Sequence, residues 1–433
     1  MPSGMQQALP ATTGEGVLRA PAVLHTLYRY SLSTTGPVMV SAAHFAASLI
    51  FLHMLQPAEF GQFSFLLIVV PFCLGATGAL LGAPAALTRA KDAATAHAEI
   101  LTLQKVSLVF AGLSGLAVGI LMFSAHAQAV AAVMFGIYGA ASMLRSFARS
   151  LSNVRGQLVR VATSDFLYSA LLVSGLAALI VARRLTMPNA AFALCLAAMA
   201  GFMPFGLSHI REFVSALRKQ TLGLYAPMWK DVTRWSLLGT VLTEFTANAH
   251  AYSVTFLSGP KAFGLLALGA LFMRPASLVI SALPDIDQPL MTRRLAKGDI
   301  RGALRVVTEF RTAAFAVLAA TILLSFAILT WAPQLLAKKG YDAMDVMVVL
   351  ILWIAITALR ALRSPTAVFF QALGNYSALA RVSAWSCGTS LIVTVTLLLT
   401  LGPIASLGGV LAGEIAIILA LFPLMRAWRR HNA

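Results

Sequence analysis

Pro57-Ala58-Glu59-Phe60-Gly61 and Pro260-Lys261-Ala262-Phe263-Gly264 share the pattern Pro-x-x-Phe-Gly, and each joins two long apolar stretches. Sliding one onto the other takes an offset of 203 residues without a gap, and the same offset lays Ser33 on Ser236 and Gly36 on Gly239. The motifs mark two hydrophobic hairpins that begin the two halves of one chain.

Composition puts those hairpins in a bilayer. Hydrophobic residues make up 59 % of the chain and charged residues 11 %, against about 45 to 50 % and about 25 % in soluble domains. A helix needs about 20 apolar residues to cross a hydrocarbon core. Twelve segments meet that need, near 34–55, 63–87, 106–124, 128–146, 166–182, 190–209, 236–257, 264–283, 310–331, 345–363, 382–401 and 407–425. The expected fold is an all-α polytopic membrane protein of two six-helix repeats. Repeats around a central site are a recurrent plan of secondary transporters.

The net charge of +17 gains meaning from where the cations lie. With the N-terminus inside, 27 of the 32 Lys and Arg fall in the tails, the inward loops or the spans near them, Arg274 being the one deep exception; Arg183, Arg184, Lys261, Lys338 and Lys339 fall outside. Such a bias places both termini in the cytoplasm. It makes anionic lipid headgroups the partner of the basic surface, rather than nucleic acid. The outward links are short and leave no room for a folded outer domain, whereas the inward segments are longer and basic. The expected organisation is a tail over 1–33, a six-helix bundle over 34–209, a linker over 210–235, a second bundle over 236–425 and a basic tail over 426–433. Val17 to Tyr30 reads either as a short interfacial helix or as a disordered lead-in. Cys73, Cys195 and Cys387 lie inside expected spans without ligand spacing and read as packing residues. No metal or cofactor motif accompanies them.

An ionisable residue at a helix centre costs about 2.5 to 3.5 kcal/mol and persists where it meets a cavity or a partner. Glu244, Arg274 and Glu414 are the deep ones, joined by His44 and His250. Ser236, Thr240, Glu244, Asn248 and Tyr252 recur in steps of four, which stacks them on one face of the seventh span. That face reads as cavity wall, or as hydrogen-bonded helix packing. The offset of the repeat carries Ser41, His44 and Ser48 of the first span onto Glu244, Ala247 and Ala251 of this face, and His44 by itself reads first as an internally hydrogen-bonded histidine. Arg274 and Glu244 lie at similar depth, so the pair reads as a substrate-anion site with an ionisable neighbour, or as a structural ion pair. Pro275 bends the eighth span beside Arg274 and frees backbone groups. Glu414 reads as a group behind the cavity wall or as a proton-linked one, while Arg145, Arg360 and Arg363 read as snorkelling at inner helix ends.

Nucleotide-binding and metallohydrolase motifs are lacking, which argues against an ATP-driven pump and against enzyme chemistry. The loop Thr88-Arg89-Ala90-Lys91-Asp92 lacks the Gly-x-x-x-Asp-Arg signature of the major facilitators. The order of elements resembles the polysaccharide (O-antigen and exopolysaccharide) flippases of the multidrug/oligosaccharidyl-lipid/polysaccharide exporter superfamily. The resemblance rests on the repeated Phe-Gly hairpin with its glycine-rich second helix, on Arg274-Pro275 through Pro289 with Arg293-Arg294-Leu295-Ala296-Lys297-Gly298-Asp299, and on Gln371-Ala372-Leu373-Gly374. It implies a central cavity lined by helices one, two, seven and eight, alternating access, and a polyprenyl-diphosphate-linked oligosaccharide as substrate at a bacterial inner membrane. Arg274 would then meet the diphosphate; Ser41, His44, Thr240, Glu244 and Asn248 would line the cavity; Glu244, Glu414 and His250 would be candidates for ion coupling. Other polysaccharide-assembly membrane proteins would be partners. Alternatives are a proton- or sodium-coupled drug or metabolite antiporter of the same superfamily, and a membrane-embedded polymerase or scaffold. Peptidoglycan-precursor flippases are a further branch, in which two more helices commonly follow the twelfth.

Overall fold

The computed structural model describes residues 20–88, 92–219, 222–331 and 341–432. The first half comprises α1 (Ala20–Met54), α2 (Pro57–Thr77), α3 (Ala93–Ser124), α4 (Ala129–Val154), α5 (Leu158–Val181) and α6 (Met187–Phe202). A linker helix α7 (Gly206–Lys219) follows. The second half comprises α8 (Arg234–Leu257), α9 (Pro260–Phe272), α10 (Arg274–Ala296), α11 (Ile300–Trp331), α12 (Ala343–Ala372), α13 (Tyr376–Leu401) and α14 (Leu407–Asn432). The helices α9 and α10 are one expected span, bent by 63°. Among the described residues ten helices, or eleven with this bent pair, are long and apolar enough to cross a membrane. The seventh expected span, α8, is 24 residues long but too polar to join them. Its polarity comes from the stripe that includes Glu244 and Asn248.

Helix starts and stops follow local chemistry. Both Pro-x-x-Phe-Gly motifs open a helix with proline in its first turn, where the missing N–H costs nothing. Glu59 accepts from the Gln56 amide at 3.0 Å, and Asp92 accepts from the Thr95 amide at 3.0 Å at the head of α3, each satisfying a donor the helix cannot. Gly374, at φ 73°, closes α12, and Asn375 donates back to the Phe370 carbonyl at 3.0 Å, the geometry that ends helices at glycine. The second helix of each half is interrupted. In α2 a π turn over Gly78–Gly82 precedes Ala83–Leu87, and α9 gives way to α10 at Met273.

Two boundaries differ from the sequence expectation. The first helix begins at Ala20, well before the expected span, whose own bounds match the apolar stretch Thr35–Met54. Pro21 falls in its first turn, where proline is tolerated, so nothing breaks the helix between there and the span. Residues 1–19 of the expected tail lie outside the described residues. The linker, expected from residue 210, is helical from Gly206, and its far end runs through a π turn over Trp229–Thr233 into α8.

Each half packs mainly on itself, and α2 makes the chief bridge, lying against α8 and α9 of the second half. At that crossing the motif glycines meet. A Cβ on Gly61 would overlap the Pro260 carbonyl, and one on Gly264 would meet the Tyr341 hydroxyl and lie 3.3 Å from Gly61 Cα. The Tyr341 hydroxyl donates toward the Pro57 carbonyl at 3.3 Å and the Lys261 carbonyl at 3.4 Å, so one side chain ties both motifs. Below them Phe65 meets Phe263, Tyr252 and Phe256 edge to face, at centroid distances of 6.2, 5.6 and 5.6 Å. This aromatic layer closes the end of the molecule that carries the motifs.

Candidate functional site

Beneath the aromatic layer lies a small roof chamber of about 150 Å³, lined by Ser48, Ser64, Asn248, His250, Arg274 and Trp353 among others. Below it a cavity of about 760 Å³ runs from Leu67, Pro71, Glu244 and Asn248 past Arg274 to Arg360, Arg363 and Gln371. Leu67, Ile68, Asn248, Ala270, Arg274 and Trp353 line both spaces. The cavity wall is therefore built from α2, α8, α9, α10 and α12. The first helix contributes Ser48 to the roof, whereas α12, absent from the sequence expectation, supplies a whole wall.

Arg274 sits at the first position of α10, just past the bend. The positive end of the α10 dipole lies at the same place. Among the described residues Arg274 has no carboxylate within ion-pair distance. Arg274 and Glu244, which similar depth leaves free either to pair or to stand apart, are not paired in the structure. Glu244 instead accepts from the Tyr252 hydroxyl at 2.7 Å and from the Asn248 amide at 3.1 Å, both on its own helix face. That arrangement follows from the step of four, which brings i, i+4 and i+8 side chains together.

The other expected residues divide. Thr240 turns its hydroxyl to the Ser236 carbonyl at 3.0 Å, and its methyl packs toward Gly75, 3.2 Å from where a Cβ would stand. His44 meets the Tyr168 hydroxyl at 2.6 Å, and Tyr168 meets the Tyr138 hydroxyl at 3.0 Å, so His44 is engaged inside the first bundle. Ser41 lies half-buried one turn earlier on the same helix. His250 is buried in the roof against Trp353, at 5.6 Å between ring centroids, and its Nδ1 has no hydrogen-bond partner.

Arg360 and Arg363 do not snorkel. Both line the cavity and hold Glu414, through Arg360 Nε at 2.7 Å and through Arg363 Nε. The carboxylate is buried, and its negative charge draws the guanidinium groups inward instead of to the surface. Arg145 does not snorkel either. It is buried and donates to Asp165 at 2.9 Å, while Arg149 donates to the same carboxylate at 2.7 Å. Asp165 escaped the sequence reading because it falls one residue before an expected span; α5 in fact starts at Leu158, which places it two turns into the helix. The cavity itself presents three guanidinium groups, from Arg274, Arg360 and Arg363, against the carboxylates of Glu244 and Glu414.

No protein-family model matches this sequence, and no curated protein sequence is significantly similar to it. Solved structures are similar in fold. An inward-facing MATE-family multidrug resistance transporter of the MOP superfamily aligns at 15 % identity over 94 % of this chain and 99 % of its own, with a TM-score of 0.65. The lipid II flippase MurJ in an inward closed conformation aligns at 14 % identity over 91 % of this chain and 87 % of its own, with a TM-score of 0.64. A MOP-superfamily transporter from Pyrococcus furiosus, described by the reverse polarity of its binding pocket, aligns at 15 % identity over 96 % and 98 %, with a TM-score of 0.57. With two halves joined at α2, α8 and α9 over a shared cavity, the chain has the fold of the MOP-superfamily transporters.

Proposed function

We propose that this protein is a flippase that carries a polyprenyl-diphosphate-linked oligosaccharide from the inner to the outer leaflet of a bacterial cytoplasmic membrane by alternating access, for surface polysaccharide export. The observation that carries the reading is Arg274, a cation without a carboxylate partner among the described residues, set at a helix N-terminus in the cavity between the halves. A guanidinium matches phosphate oxygens in charge and geometry. A lipid tail stays in the bilayer while the head crosses past Asn248, Ser277 and Ser281, which offer hydrogen bonds to sugar.

The positive-inside bias supports cytoplasmic termini and a cavity open to the cytoplasm, with the Pro-x-x-Phe-Gly end closed toward the outside. Glu244, His250 and Glu414 are the candidates for ion coupling. Glu244 also favours a second reading, a proton- or sodium-coupled antiporter of drugs or metabolites, since an acid on the cavity wall suits a cationic solute.

Leaflet translocation in proteoliposomes separates the two. With a fluorescent polyprenyl-diphosphate oligosaccharide, wild type is expected to translocate and Arg274→Ala to lose most of that activity while remaining folded, at fixed and at imposed pH gradients. Absence of wild-type translocation alongside proton-linked efflux of organic cations would establish the antiporter instead.

A further inference from the structure

Arg360 and Arg363 are one turn apart on α12, with Thr357, Ser364 and Gln371 on the same cavity-lining face. Glu414 stands behind them at 1 % side-chain exposure, against 24 % and 23 % for the arginines. It takes Nε of both, and Nη2 of Arg363 at 3.3 Å. A guanidinium has five N–H donors, so a carboxylate bound on the Nε side leaves donors over. Arg360 Nη2 is buried without a hydrogen-bond partner among the described residues, so the donors left for a ligand are those on the quarter or so of each side chain that the cavity exposes, 24 % and 23 %. Two guanidinium groups are thus held in place from behind, with unspent donors and one net positive charge at the cavity wall.

The wall is continuous with Arg274. Arg360 Cζ lies 6.0 Å from the Trp353 ring centroid, and Trp353 lines the roof chamber together with Arg274. Trp353 is itself fixed by donating to the Leu266 carbonyl at 2.9 Å. At about 1.5 Å per residue, Arg363 lies about 15 Å below Trp353 along the helix.

We propose that Arg360 and Arg363 form a second diphosphate-binding site, between Arg274 and the end of the cavity at Gln371, with Glu414 as its positioning residue. The inference rests on the flippase reading and adds a station to it. Paired guanidinium groups donate charge-assisted hydrogen bonds to phosphate oxygens. Glu414 keeps their planes fixed and cancels one of the two charges, so the diphosphate is held loosely enough to pass on to Arg274.

The test is binding of radiolabelled farnesyl diphosphate to the full chain in phosphatidylcholine nanodiscs, with farnesol and inorganic pyrophosphate as competitors. Removing the arginines alone would strand a buried carboxylate, so the decisive variant is R360Q/R363Q/E414Q, checked for folding by thermal unfolding. It is expected to weaken probe binding on the order of tenfold, as loss of charge-assisted hydrogen bonds implies, with pyrophosphate but not farnesol displacing the probe from wild type. E414Q alone is expected to tighten binding several-fold, since glutamine keeps an acceptor but lifts the cancelling charge; a merely structural Glu414 would leave affinity unchanged or lower. Wild-type affinity in the triple variant, with binding lost in R274Q, would overturn this site and leave the flippase reading standing. Absence of wild-type binding would bring down that reading as well. Suppression of the probe by phosphatidylglycerol nanodiscs in wild type but not in the triple variant would give the site to bulk lipid, which also overturns the proposal.

Discussion

Each half of the molecule buries one carboxylate beneath two arginines of a single helix, and the two clusters differ in which guanidinium edge is spent. In the first half Arg145 and Arg149 give Nη1 and Nη2 to Asp165, and the Nε of each is buried without a partner. Arg145 also lies over the Tyr168 ring at 4.4 Å, and Tyr168 carries the contacts to His44 and Tyr138. In the second half Arg360 and Arg363 give Nε to Glu414 and line the cavity. The same set of charges thus closes a bundle in one half, while in the other its two guanidinium groups line the cavity with the carboxylate buried behind them. The first half supplies a rigid wall, and the cavity's ionisable side chains all come from the second.

The harshest way to break the comparison is to neutralise the two carboxylates separately. Asp165 has no exposure and Arg145 very little, although Arg149 keeps 25 %, so Asp165→Asn strands the buried Arg145 charge and should cost about 3 to 5 kcal/mol. Glu414→Gln leaves two arginines that partly reach the cavity and should cost less, about 1 to 3 kcal/mol. Thermal unfolding in detergent reads both, and equal losses would erase the distinction between a closed and an open cluster.

The glycine crossing sharpens it on a smaller scale. A methyl at Gly61 would meet the backbone carbonyl of Pro260, which cannot step aside unless the helices part. At Gly264 the nearest obstacle is the Tyr341 hydroxyl, the end of a side chain. Gly61→Ala should therefore cost about 1 to 3 kcal/mol and lengthen the distance between spin labels placed on the Pro57 and Pro260 turns. Gly264→Ala should do less of both, and the reverse order would mean that Tyr341 is not free to turn.

Much of this was readable beforehand. The all-helical fold, most of its apolar spans and the polar face of α8 follow from spacing and composition, because periodicity is local and the bilayer forbids most alternatives. The wall from α12 was not readable. Arg360 and Arg363 sit where snorkelling is the ordinary outcome, and only the packing of α14 brings Glu414 behind them. Asp165 was hidden by a boundary, since hydropathy marks the apolar part of α5 and misses its polar first turns. The separation of Glu244 from Arg274 depends on helix rotation, which depth alone does not determine.

Arg274 tests the same lesson with a smaller stability effect. Having no ion-pair partner among the described residues, it should be removable with a change within about 0.5 kcal/mol, as for residues outside structural networks. Unfolding of Arg274→Ala beside that of Asp165→Asn measures the contrast directly. A loss comparable to the Asp165 variant would show Arg274 to be structural.

The smallest effect is expected where the halves join, at a third carboxylate shared with arginine. Glu212 on α7 is held by Arg155 at 3.1 Å and by Gln104 at 2.7 Å, nearer the surface than Asp165 or Glu414 and so worth less. Beside it His209 is buried among Phe202, Phe205 and Phe213, with Nε2 unpartnered and Nδ1 3.8 Å from Glu212. Burial lowers its pKa from 6.5 to about 4; Glu212 opposes that shift and Arg155 adds to it. A histidine whose folded value is depressed favours the docked linker fully above pH 6.5, and that contribution is lost as pH falls toward 4. Hydrogen exchange of the α7 amides, corrected for intrinsic rates, should show weaker protection at pH 5 than at pH 7, and His209→Gln should flatten the difference. Stronger protection at pH 5 would mean that imidazolium pairs with Glu212, and the junction would then be a charged cluster like the two buried ones rather than an apolar clasp.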